Sequence, residues 1–244
     1  MKEFTNTLKQ VFLVGWRDML GFSLYSLLGG VAGIALTLMI IAIEGSGEDY
    51  AQVGVFMALI IGMLVYLFAG IFGIAKDFNL AVSMGKTRKY YIPAKYLMLV
   101  LGFLGMVAVS ALIGLLEDML YPAIFPGIEC EIHFGEILLQ PMVIFSVTLI
   151  GAMLVLLFGA LVLRFTNKIY LFIWGIWMIF SMSFSRLASA LHEEQRSVWG
   201  RIAKAIISFV ENVTTVQLVL LVLGVAAVGF SISFGFLRKQ RVTA

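Results

Sequence analysis

Four short strings in this 244-residue chain carry residue types that could do chemistry, and none completes its constellation. Gly85-Lys86-Thr87 ends like a phosphate-binding loop. The full pattern needs a glycine five residues before Gly85, where Leu80 stands, and the preceding segment is an apolar span and not a strand. His192-Glu193-Glu194-Gln195-Arg196 begins like a zinc-protease helix but ends in Arg, so the second imidazole is missing. The Glu193-Glu194 pair has no histidine in any span to work with, as an intramembrane protease would need. Glu129-Cys130-Glu131-x-His133 has metal-binding side chains at irregular spacing, and Asn212-Val213-Thr214 is a glycosylation sequon by pattern alone, beside an apolar span. These strings predict no ATPase motif, no catalytic residue, no resident metal and no cofactor in the chain itself.

The elements that would position any site are apolar. Six stretches without Asp, Glu, Lys or Arg run over 19–43, 50–75, 96–116, 137–163, 169–185 and 212–237. A membrane helix needs roughly 20 apolar residues to cross about 30 Å of hydrocarbon. The spacing predicts spans at about 19–43, 52–75, 96–116, 138–163, 169–190 and 213–237, with Arg186 snorkelling from the fifth. The predicted fold class is an all-α integral membrane protein, one domain over 1–244. The composition agrees: 61% hydrophobic, 13% charged, mean hydropathy +1.04, against about 45–50% apolar and about 25% charged in soluble domains.

Charge sets the expected orientation. With both ends inside, 13 of the 17 Lys and Arg residues fall on the inner face: Lys2, Lys9, Arg17, Lys76, Lys86, Arg88, Lys89, Lys95, Arg164, Lys168, Arg238, Lys239 and Arg241. Only Arg186, Arg196, Arg201 and Lys204 fall outside. Excess Lys and Arg in short loops marks the cytoplasmic side. Eleven of the 14 acidic residues go to the outer face, Glu44, Glu48, Asp49, Glu117, Asp118, Glu129, Glu131 and Glu136 among them. This sorting accounts for the pI near 9.0 without a nucleic-acid partner. The single Cys130 excludes an intrachain disulfide.

Residues 1–18 carry five charges and no continuous apolar core, so they do not read as a cleavable signal peptide. Phe4, Leu8, Val11, Phe12 and Gly15 lie near one stripe, which predicts an amphipathic helix on the inner membrane surface, with Trp16 at interface depth. Residues 187–211 predict short helices at the outer interface before the last span. The loop after the third span, with Pro122, Pro126 and Gly127, predicts irregular structure. Gly29-x-x-x-Gly33 lets helices approach closely, and intrachain packing is its expected use. The apolar spans hold no carboxylate or imidazole to carry a coupling ion. Any driving energy is therefore expected from outside the bilayer.

The longest inner loop, 76–95, is where it could enter. Phe78, Ala81, Val82 and Met84 give a short helix an apolar surface. Gly85 is placed as its C-cap, and Lys86, Arg88 and Lys89 suit its negative end. Such a helix is either a docking element or a basic loop satisfying anionic membrane lipid. The string from Phe78 to Tyr91, Phe-Asn-Leu-Ala-Val-Ser-Met-Gly-Lys-Thr-Arg-Lys-Tyr-Tyr, resembles the segment after span 2 in bacterial ABC-2-type permeases, with peptide, lantibiotic and modulin exporters the most similar subset. Six spans, an amphipathic N-terminal helix and a basic tail match that layout as well. The resemblance implies that Phe78, Leu80, Ser83, Met84, Gly85 and Arg88 form a cytoplasmic coupling helix seated on a separate ATPase subunit. It implies a second permease subunit, as homo- or heterodimer, and a bacterial plasma membrane. It also implies export of an amphipathic or hydrophobic substrate. The alternative is a non-transporting scaffold, sensor or immunity subunit that uses the same loop for another cytoplasmic partner.

Overall fold

A backbone crossing hydrocarbon has no water to bond, so it satisfies its N–H and C=O groups internally, and long helices result. The computed structural model describes residues 2–44, 50–83, 88–126, 130–165, 174–175, 178–179, 182 and 214–239. Its long helices are α1 (Lys2–Glu44), α2 (Val53–Ser83) and α3 (Arg88–Ile124). Strands β1 (Tyr50–Ala51) and β2 (Cys130–Ile132) and a five-residue helix α4 (Phe134–Leu138) occupy the connections. Two further long helices follow, α5 (Pro141–Phe165) and α6 (Thr215–Lys239). Among the described residues, five helices are long and apolar enough to cross a membrane, as a membrane protein of helical architecture requires. The fifth expected span, 169–190, lies outside the described residues except at five positions, as do the outer interfacial helices expected over 187–211.

Local sequence explains where these helices begin. Pro141 stands at the first position of α5, where its missing N–H costs nothing. The α6 start is a reciprocal capping box. The Gln217 N–H donates to Thr214 Oγ1 at 3.4 Å, and the Thr214 N–H donates to Gln217 Oε1 at 3.0 Å.

Glycines set how closely the helices approach. A Cβ on Gly33 would lie 2.7 Å from the Gly54 Cα, and one on Gly29 would lie 2.8 Å from the Met57 carbonyl oxygen. The Gly29/Gly33 pair thus packs α1 antiparallel on α2 within one chain. Gly30 abuts Ile113 of α3, and Gly159 of α5 abuts Ile74 of α2. At mid-depth Ser26 ties three helices together: its hydroxyl donates to Ala58 O and pairs with Ser110 Oγ, both at 3.1 Å. Tyr66, fully buried, stacks edge-on against Phe22 and Phe103 and donates to Leu99 O.

Three expectations need correction. The N-terminal segment is not a separate surface helix. The chain runs unbroken from Lys2 to Glu44, and Thr7 and Val11 pack inward. Nothing between Gly15 and Gly21 has the backbone geometry of a breaker, and stacking on α2 and α3 supplies the burial that a membrane surface would otherwise give. The coupling helix is likewise no independent element: residues 76–83 are the last two turns of α2. The irregular loop is also shorter than expected, since α3 continues through Pro122 to Ile124 and carries Glu117 and Asp118 on helix. Within this helical architecture the connections also hold a two-stranded sheet. Strands β1 and β2 pair in parallel, Tyr50 beside Cys130 and Ala51 beside Ile132, although the two strands span only five residues.

Candidate functional site

The five long helices sort charge by end. Arg88 Nη1 donates to Arg238 O at 2.9 Å, and the Arg164 guanidinium lies 4.8 Å over the Phe236 ring. These contacts bring together the C-terminal ends of α5 and α6 and the start of α3. Asp77 of α2 and Lys95 of α3 meet there too, at 2.6 Å. This is the basic end. Glu44, Glu117, Asp118, Glu136 and the strands lie at the other.

The helices of the basic end are longer than a bilayer requires. At 1.5 Å per residue α1 is about 65 Å long, α2 about 46 Å and α3 about 55 Å, against roughly 30 Å of hydrocarbon. The surplus forms a three-helix stub from the first turns of α1, the last of α2 and the first of α3. An ion pair sits inside it. Lys95 and Asp77 have side chains 4% and 18% exposed, so a charge with no partner there would be costly. Asp18 of α1 lies within electrostatic reach of both and of Lys76.

The residues that the sequence singled out for docking divide in this stub. Phe78 is fully buried, stacked edge-on with Tyr91 at 5.8 Å and capped by the Arg88 guanidinium 6.0 Å from its ring centre. It is part of the core, not of an exposed contact face. The reason is the packing of α2 against α3, which turns the Phe78 side of α2 toward Tyr91. Leu80 stays open at 46% exposure. Arg88 is half-buried and engaged as described. The Ser83 side chain, Met84 and Gly85 lie outside the described residues. The structure therefore brings Phe78 and Arg88 together and separates Leu80 from them.

A cavity of about 260 Å³ opens beside this stub, between the first turns of α1 and the α2–α3 hairpin. Its lining includes Thr7, Gln10, Val14, Leu80, Tyr91 and Lys95. Deeper in the bundle, α2, α3, α4 and α5 enclose a second space of about 250 Å³, lined by apolar side chains such as Phe56, Met63, Phe103 and Val147.

The acidic end holds a feature that sequence reasoning missed. Glu117 is fully buried, although it reads as an outer-loop charge. Its carboxylate accepts from Gly54 N at 2.8 Å and Val55 N at 2.9 Å, two orphan donors of the α2 N-terminus, and from Tyr121 Oη at 2.7 Å. A glycine at position 54 is what lets the carboxylate approach, because a Cβ there would lie 2.7 Å from the Glu117 Cδ. Gln52 continues the network, donating to Asp118 Oδ1 and accepting from Gly135 N, both at 2.7 Å. Two of these three contacts cap the α2 N-terminus and the third is the Tyr121 phenol, so the carboxylate ties α3 to the start of α2. Burial pushes the nearby Tyr50 phenol up to about 12 and raises the Cys130 thiol above its ordinary range. Among the described residues, no three His, Cys, Asp or Glu side chains gather as a metal site. Compared with known protein families, curated proteins and solved structures, the chain matches none.

Proposed function

We propose that this chain is the membrane permease subunit of an ATP-driven exporter of the ABC-2 type. A separate ATPase subunit docks on the stub formed by residues 76–95 and the start of α1. The single observation that carries the reading is the stub: three helices run past the bilayer at the basic end, two of them, α2 and α3, joined by a buried ion pair. Such a rigid lever transmits force to the spans, as rigid-body switching requires. The basic end is cytoplasmic, following the charge rule, in a bacterial plasma membrane. A second permease subunit completes the path, and the substrate is amphipathic or hydrophobic, such as a peptide. The buried position of Phe78 moves the proposed contact to Leu80, with Ser83, Met84 and Gly85 the other contacts that the resemblance implies.

The same stub would serve a non-transporting scaffold, sensor or immunity subunit, since Leu80 offers any partner an apolar contact. Co-purification separates the two. A permease brings down a soluble ATPase, and the complex hydrolyses ATP faster when substrate is added. Leu80→Asp and Met84→Asp are expected to remove both effects while the protein still inserts and purifies. A bound partner without ATPase activity would establish the scaffold reading instead.

A further inference from the structure

The cavity between α1 and the α2–α3 hairpin has a mixed lining that fits one kind of molecule. Leu13, Val14 and Leu80 are apolar wall, while Lys95 and Tyr91 of α3 and Asp77 of α2 bring polar atoms. An ammonium has three donors, and Asp77 takes one of those on Lys95. The Tyr91 side chain is 97% buried, its residue exposure being 3%, and its hydroxyl has no hydrogen-bond partner. A buried hydroxyl without a partner costs stability, so a native structure that keeps one invites a ligand. The surroundings are basic: Lys9, Arg17, Lys76, Arg88, Lys89, Arg164 and Arg238 share this end with Glu3, Asp18 and Asp77.

We propose that this cavity holds an anionic glycerophospholipid of the adjacent leaflet. The phosphodiester meets Lys95 and Tyr91, and an acyl chain follows Val14 and Leu80. The depth fits, because the cavity lies at the start of α1 and the end of α2, just beyond the residues that fill the hydrocarbon. The Lys95–Asp77 pair is neutral, and the net positive charge of the surrounding end selects an anionic lipid over a zwitterionic one. The site shares Leu80 with the proposed ATPase contact, while its polar atoms lie inside the stub.

The test uses the full chain, purified and stripped of lipid in a mild detergent. Phosphatidylglycerol is titrated in, with thermal unfolding and native mass spectrometry as readouts. Expected are one saturable phosphatidylglycerol per chain and a raised unfolding temperature. Val14→Trp, at an exposed position that keeps every polar group, fills the cavity and is expected to weaken binding at least tenfold. Tyr91→Phe is expected to weaken it by a smaller factor while the protein stays folded. Equal binding of phosphatidylethanolamine would overturn the anionic assignment. Equal protection by glycerol phosphate would overturn the lipid assignment. Unchanged binding by Val14→Trp would overturn the site.

Discussion

Glu117→Ala tests whether a buried carboxylate holds the acidic end together. The side chain satisfies two N–H groups at the α2 N-terminus and one phenol, all buried. An unsatisfied buried donor costs about 1–3 kcal/mol. Two stranded N–H groups therefore set a loss of roughly 2–6 kcal/mol, before any cavity is counted. Glu117→Gln keeps one acceptor oxygen but turns an amide N–H₂ toward the second backbone donor, so about half that loss is expected. Tyr121→Phe removes one neutral donor to the carboxylate and is expected to cost about 0.5–1.5 kcal/mol. Equilibrium unfolding in mixed micelles with increasing SDS measures all three. The expected order is Ala, then Gln, then Phe at position 121. If Glu117→Ala unfolds within about 0.5 kcal/mol of the parent, the ordinary range for surface changes, the clamp is not structural.

Gly33→Leu drives a side chain into the Gly54 backbone and is expected to cost about 1–3 kcal/mol or more, whereas Gly73→Ala, with nothing within 4 Å, is expected to be neutral; the same SDS titration compares them. Lys95→Met alone strands Asp77 inside the stub and is expected to cost about 3–5 kcal/mol, while Lys95→Met with Asp77→Leu recovers most of it, as measured by a double-mutant cycle. Cys130 is expected to react with a membrane-impermeant maleimide added outside intact cells, and a Leu80→Cys variant lacking Cys130 only after permeabilisation; the reverse pattern contradicts the orientation. Burial raises the Cys130 thiol, so less thiolate is present at neutral pH than for a free cysteine, and its labelling rate is expected to keep rising above pH 9.

The spans were legible because hydropathy alone locates them, and the described helices cover five of the six apolar stretches. The Gly29/Gly33 contact was legible because small residues four apart have few other uses in a span. Where each helix stops was not. Charges at 76–95 mark the membrane boundary but leave helix propensity intact, so α2 and α3 continue where a loop was expected. Glu117 read as a loop charge because it follows an apolar run. Its partners, Gly54 and Val55, lie more than sixty residues away, and only the packing of α2 on α3 brings them together. The burial of Phe78 has the same origin. Its apolar side faces Tyr91 only once the hairpin closes. The Thr214-x-x-Gln217 box could have been found, since its spacing is a local signature of a helix start.

Photocrosslinking in intact cells addresses the ATPase-driven reading at its proposed contact. A photoreactive amino acid replaces Leu80, with Met119 of the acidic end, 74% exposed, as the control position. The account predicts that Leu80, and not Met119, crosslinks to a soluble phosphate-loop ATPase. An ATPase adduct from Met119, or none from Leu80 in cells actively exporting, would contradict it.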